Sequence, residues 1–308
     1  MPRSAVCFLV SIRSIVVMGL MAVVPFAIGP VSADETGKTP ITEVAAKILD
    51  DTLPGPERSA LIEANGDRAA DLIAALAAGL GSDPAEEYRR IPRIWTVAIA
   101  AGKESRPETL RGILNASLPQ PGGRLADWQA VVIGGGVING IGLIGGWPQD
   151  RIESVIGEDA ALKSRWQQSL MAAVAMADNP DVKTGTRYDA LRMVAMRGWN
   201  DSREQLLRYL GKGVNGELQM GAVSGLADIP DPAATEALLT HLSGLVPGNR
   251  NLALEGLLRS EERMLALLAA VERGDVTIEQ LRPERVKRLL EASATKVRER
   301  ASVVLPPL

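Results

Sequence analysis

The chain has 308 residues, with 34 Lys and Arg against 37 Asp and Glu, a net charge of −3, one histidine and one cysteine. That mild acidity argues against nucleic acid as a partner, because phosphate backbones reward basic patches. A lone His and a lone Cys exclude the usual structural zinc sites, a Cys–His nucleophile pair and c-type haem attachment, which needs Cys-x-x-Cys-His.

The N-terminus carries Arg3 and Arg13, an apolar run from Ile15 to Ile28, and the small residues Val31-Ser32-Ala33 ahead of Asp34-Glu35. A basic start, a short apolar core and a small-residue cleavage site predict a secretory signal peptide over residues 1–33. The run is broken by Pro25 and is short against the roughly 20 residues of a membrane span. Membrane attachment is therefore expected only if the segment stays uncleaved, and the mature chain is expected in the periplasm or cell envelope. Cleavage leaves 275 residues without Cys7, and the loss of two arginines takes the net charge from −3 to −5. With no cysteine in a compartment that permits disulfides, stability must come from packing.

Residues 34–56 read as a linker and a short helix, Ile41–Leu53, stopped by Pro54-Gly55-Pro56. Residues 57–186 read as irregular helical repeats. Helices are predicted over Glu57–Asn65 and Arg68–Leu80, and Asp83-Pro84 supplies an N-cap with proline at the first helical position. Ile94–Ala101, Arg106–Leu118, Pro148–Ile156 and Ala160–Ala177 follow as further helical pieces around a loop at Pro119–Gly123. Residues 187–308 are more regular. Asp201 with Glu204 has capping-box spacing, Asp231-Pro232 opens a helix, Pro247-Gly248-Asn249 ends it, Leu254, Leu257 and Leu258 mark the next, and Ser260 opens the one after. There Met264, Leu267, Leu268 and Val271 lie on one helix face. Helix pairs begin near Asn215, Asn249 and Pro283, every 34 residues, a length typical of helical-pair repeats. Each short stripe needs its neighbour for burial. The prediction is an all-α, helical-pair repeat solenoid.

Four features carry candidate chemistry. Residues Gly134–Gly140 imitate a strand entering a dinucleotide-binding loop, with Glu153 as the ribose acid, which would make the chain a nucleotide- or flavin-binding oxidoreductase. Against this, position 139 is Asn and no β-α-β pattern surrounds it. The competing reading is a close-packed helix whose glycines admit a neighbouring backbone. His241 reads as a partly exposed helix residue, and no Gly-x-Ser-x-Gly elbow accompanies it. The run Arg282–Arg288, with Arg285 and Arg288, offers either a dock for an acidic partner or a solvated outer face. The five tryptophans all lie between Trp95 and Trp199, where they either anchor a partner or fill gaps beside glycine-rich helices. Trp147, Trp199, Arg285 and Arg288 are the candidate partner-binding residues. No catalytic residue, cofactor ligand or metal ligand is assigned.

Several segments resemble a known pattern in order. They are Arg187–Trp199, Leu218–Leu226 with Asp231-Pro232, Leu257–Arg263, Val271–Gly274, Arg288–Leu290 and Val297–Ala301, preceded by Trp128 with Gly136, Gly140 and Gly142. From about Tyr88 to Leu305 the chain is similar to the HEAT-repeat segment of planctomycete-type membrane-bound dehydrogenases. In that family a sugar-dehydrogenase domain precedes the repeats and a c-type cytochrome domain follows them. The family's Asp-Pro before the last helix is Ala294-Thr295 here, and neither flanking domain is present in this sequence. The resemblance implies a HEAT-like array without catalytic residues or cofactor of its own. It would act as a non-catalytic protein–protein interaction scaffold, with a dehydrogenase or c-type cytochrome as partner.

Overall fold

The computed structural model describes residues 38–306 apart from Ser82 and Arg124; the expected signal peptide lies outside them. Sixteen α-helices form among the described residues, and no strand. They are α1 Ile41–Leu49, α2 Gly55–Glu63, α3 Ala69–Ala77, α4 Pro84–Glu104, α5 Pro107–Ser117, α6 Asp127–Leu143, α7 Pro148–Ile156 and α8 Ala160–Asp178. The rest are α9 Thr184–Ala195, α10 Gly198–Leu207, α11 Gly216–Ala227, α12 Pro232–His241, α13 Pro247–Gly256, α14 Glu261–Arg273, α15 Ile278–Leu290 and α16 Thr295–Val304. The all-α expectation therefore holds.

The local causes are legible. Pro84, Pro107, Pro148, Pro232 and Pro247 each open a helix, where a missing N–H costs nothing. Asp83, Asn215, Asp231 and Ser260 cap the N–H groups just inside α4, α11, α12 and α14. Gly274 ends α14 in the left-handed conformation, φ 81°. Two expectations fail. Asp201 lies inside the first turn of α10, because Gly198 turns the chain three residues earlier at φ 76°. Pro247, expected to end a helix, begins one.

Helices stack in two rows. In one, α4 packs on α6, α6 on α9, α9 on α11 and α11 on α13; in the other, α1 packs on α3, α3 on α5 and α5 on α7, and later α10 on α12, α12 on α14 and α14 on α16. The core runs unbroken from Val44 to Leu305. Helix α6 lies at its centre, with twelve of its 17 residues buried. Its glycines are where neighbours come closest. A Cβ on Gly136 would meet Ala98 Cβ at 2.9 Å and the Trp95 carbonyl at 3.0 Å, so α4 crosses directly on that face. Gly221 and Gly225 of α11 repeat the device against Tyr188 and Leu191 of α9. The stretch that imitates a dinucleotide loop is thus a buried helix, and Gly134–Gly140 serve helix packing. No single described helix is long and apolar enough to cross a membrane; α6 and α7 pass that test only together, across a 118° bend.

One recurring device has no counterpart among the sequence-based expectations. The last carbonyls of a helix have no helical donor, and here arginines from elsewhere supply one. Arg58 donates to the Ile48, Asp50 and Leu53 carbonyls at the end of α1, and Arg165 to those of Asn115 and Leu118 at the end of α5. Arg111 closes α7 through Val155 and Ile156, and Arg298 closes α15 through Ala292 and Ser293. A cation there also complements the negative end of the helix dipole.

Candidate functional site

Four helices of the first row enclose a cleft of about 490 Å³. Helix α4 contributes Glu87, Tyr88, Ile91, Pro92 and Trp95; α6 contributes Trp128 and Val132; the start of α9 contributes Lys183, Thr186, Tyr188 and Asp189; α11 contributes Glu217 and Met220. The volume falls in the usual range for small-ligand sites, which pair apolar walls with a few convergent polar groups. Proline inside α4 lacks the N–H that would bond the Tyr88 carbonyl, so the helix is weakest where it borders the cleft.

Asp189 forms the floor. It is 4% exposed, and its Oδ1 accepts the Trp95 indole N–H at 3.1 Å. A Cβ on Gly135 would overlap its carboxyl carbon at 2.6 Å, so the bare backbone of α6 is what admits the side chain. Burial pushes the Asp189 pKa well above the usual carboxylate range. The Trp95 hydrogen bond and Arg192 oppose that, and Glu217 adds to it. The ring of Trp128 carries Lys183 Nζ at 5.8 Å from its centroid, within cation–π range. Tyr88 stands 81% exposed at the rim.

A second cleft, of about 520 Å³, opens further along the same row beside Arg192, Asp228, Glu255, Arg259 and Arg288. Its charges mostly satisfy one another. Asp228, 2% exposed, accepts from Arg192 at 2.8 Å and Arg259 at 2.7 Å. Arg192 also donates to Asn139 at 2.9 Å and to the Tyr188 hydroxyl at 3.2 Å. Burial would lower the Arg192 pKa, but Asp228 and Tyr188 more than offset it and hold it above the ordinary guanidinium range. The network ties α6, α9 and α11 to the loop before α14.

The four sequence-predicted site residues fall in separate surroundings. Trp147, half-buried before α7, carries Arg259 at 4.6 Å and Arg263 at 5.1 Å over its ring. Arg263 is itself 3% exposed and donates to the Leu226, Ala227, Ile229 and Gly256 carbonyls. Burial and its neighbour Arg259 push its pKa down to about 10, so it stays charged at neutral pH. Trp199, at the start of α10, is half-buried against the core. Arg285 and Arg288 are brought together: both donate to Glu255, at 2.8 and 2.6 Å. Arg285 is only 7% exposed, so the expected outer face is here an inner contact between α15 and α13. His241 is half-buried and bonds its own helix through Ala237.

Sequence reasoning does not single out Asp189, Tyr188 or Lys183 as site residues. The one signal it carries for them is Asp189 itself, four residues before Met193 and seven before Met196. Both methionines are buried, so the acid occupies a core register. Trp95 and Trp128 stand out in the sequence only as members of the tryptophan set. Among the described residues no group of three or more His, Cys, Asp or Glu is placed to hold a metal. No protein-family model matches the chain, and no match was found among curated proteins.

Proposed function

We propose that the chain is an exported, non-catalytic helical-repeat scaffold that binds a protein partner through the cleft between α4, α6, α9 and α11. The observation that carries this reading is the cleft itself. Three aromatic rings, Tyr88, Trp95 and Trp128, stand around a buried carboxyl group on a rigid helical frame. Aromatic anchors of this kind dominate binding energy at protein interfaces. The array's work is positioning, and the resemblance to dehydrogenase-associated HEAT repeats points to a dehydrogenase or a c-type cytochrome as the partner.

The test is capture from a cell-envelope extract with the purified chain and with a Trp95→Ala/Trp128→Ala double mutant in parallel, read by mass spectrometry and haem staining. A haem-staining or dehydrogenase protein held by the native chain and lost by the double mutant is the expected result. Identical sets of captured proteins from the two baits overturn the reading.

A further inference from the structure

We infer that the cleft takes an ammonium group, the side chain of a lysine presented by the partner, which passes between Tyr88, Trp95 and Trp128 to reach Asp189. This rests on the scaffold reading and names what that scaffold recognises.

Charge comes first. The cleft holds three carboxyl groups, Glu87, Asp189 and Glu217, against one lysine, Lys183. An anion entering it meets net repulsion, and a purely apolar group would seal the second oxygen of a buried carboxyl away from water without a partner, which is costly. A cation meets neither objection. Indole and phenol faces attract cations as well, most strongly when water is excluded. The chain already shows the interaction in place, with Lys183 Nζ lying over the Trp128 ring.

Geometry then separates lysine from arginine. Guanidinium groups bind carboxylates best through two parallel hydrogen bonds, one to each oxygen. Asp189 Oδ1 accepts the Trp95 N–H and lies against the backbone of α6, where a Cβ on Gly135 would overlap it, so a second, parallel donor has little room beside it. Its other oxygen has no hydrogen-bond donor among the described residues. One free oxygen at the end of an aromatic-walled passage suits a compact ammonium on a flexible alkyl stem.

The test uses the whole chain and three small probes: n-butylammonium, n-butylguanidinium and 1-butanol, which share the stem and differ in the head. Indole N–H signals of Trp95 and Trp128 are followed by NMR during titration. Saturable shifts with n-butylammonium, at least ten-fold tighter than with either other probe, are expected. Asp189→Asn should weaken that binding by about ten-fold or more, as for a lost charged hydrogen bond. Glu217→Gln, on the exposed rim, should weaken it by about two- to five-fold. Lys183→Met, which removes the internal competitor, should tighten it, and this gain tests the proposal independently of Asp189→Asn. Equal binding of 1-butanol, or no saturable shift with n-butylammonium, overturns the proposal. If the amine fails while the Trp95→Ala/Trp128→Ala double mutant still loses a captured partner, the cleft is a docking site and only the lysine assignment falls. If the amine binds and no partner is captured, it is the scaffold reading that falls.

Discussion

Gly102 of α4 and Gly140 of α6 meet backbone to backbone: a Cβ on Gly140 would stand 2.7 Å from Gly102 Cα and 2.8 Å from the Lys103 nitrogen. Nothing flexible is there to give way. Gly140→Ala is expected to cost about 1–3 kcal/mol, the usual penalty for overpacking, despite alanine's better helix propensity. At about 2–4 °C per kcal/mol for a chain of this size, thermal melts resolve it. Gly248 of α13 is the control, because a Cβ there meets nothing within 4 Å. Gly248→Ala should stabilise by about 0.5–1 kcal/mol, and the opposite signs test the packing.

Asp189 gives a pH dependence of unusual sign. Its folded pKa is raised by burial above the 3.8 of a free aspartate side chain. Between those two values the folded chain binds more protons than the unfolded chain, so its stability falls as pH rises. Asp189→Asn removes the penalty. The Asn form should melt near the native temperature at about pH 4 and above it at neutral pH, with the gap opening as pH rises. A gap that is constant with pH would assign the effect to packing instead.

Asp228 balances two arginines in the interior. Asp228→Asn leaves Arg192 and Arg259 without their shared counter-charge, and the expected cost is about 3–5 kcal/mol. Glu255 also accepts from two arginines, but its side chain is 47% exposed. Glu255→Gln should cost no more than about 1 kcal/mol. Urea midpoints of the two mutants make the comparison, and equal shifts would contradict it.

Arg282 breaks α15 with φ 63° and ψ 156°, a conformation that only glycine adopts freely. The following proline, Pro283, keeps it out of the helical region. Arg282→Gly should raise stability by about 1 kcal/mol, measured by denaturant unfolding; a loss would mean the arginine side chain has a structural duty.

Much of the fold is legible in the sequence because its signals are local. Asp83-Pro84, Asp231-Pro232 and Ser260 cap helices as their spacing predicts. The errors are local too. Pro247 reads equally well as a helix stop and as a first helical residue, and only packing decides between them. Pro92 sits inside a 21-residue helix that the sequence splits into shorter pieces. The cleft is illegible for a different reason. Its members run from Glu87 to Met220, and no spacing rule connects four helices across that distance. Arg285 reads as one charge in a solvated run, and its burial depends on Glu255 30 residues away.

The contact between Arg259 and the turn at Gly146 and Trp147 has a consequence for synthesis. Arg259 donates to the Gly146 carbonyl across 113 residues while its guanidinium covers the Trp147 ring. A strictly nearest-neighbour array finishes each unit as it emerges. Here the turn after α6 waits, one face of its indole bare, until the chain has been made through residue 259. The turn therefore lacks its arginine partner for 113 residues of synthesis, more than a third of the chain, and closes only when the segment before α14 has been made.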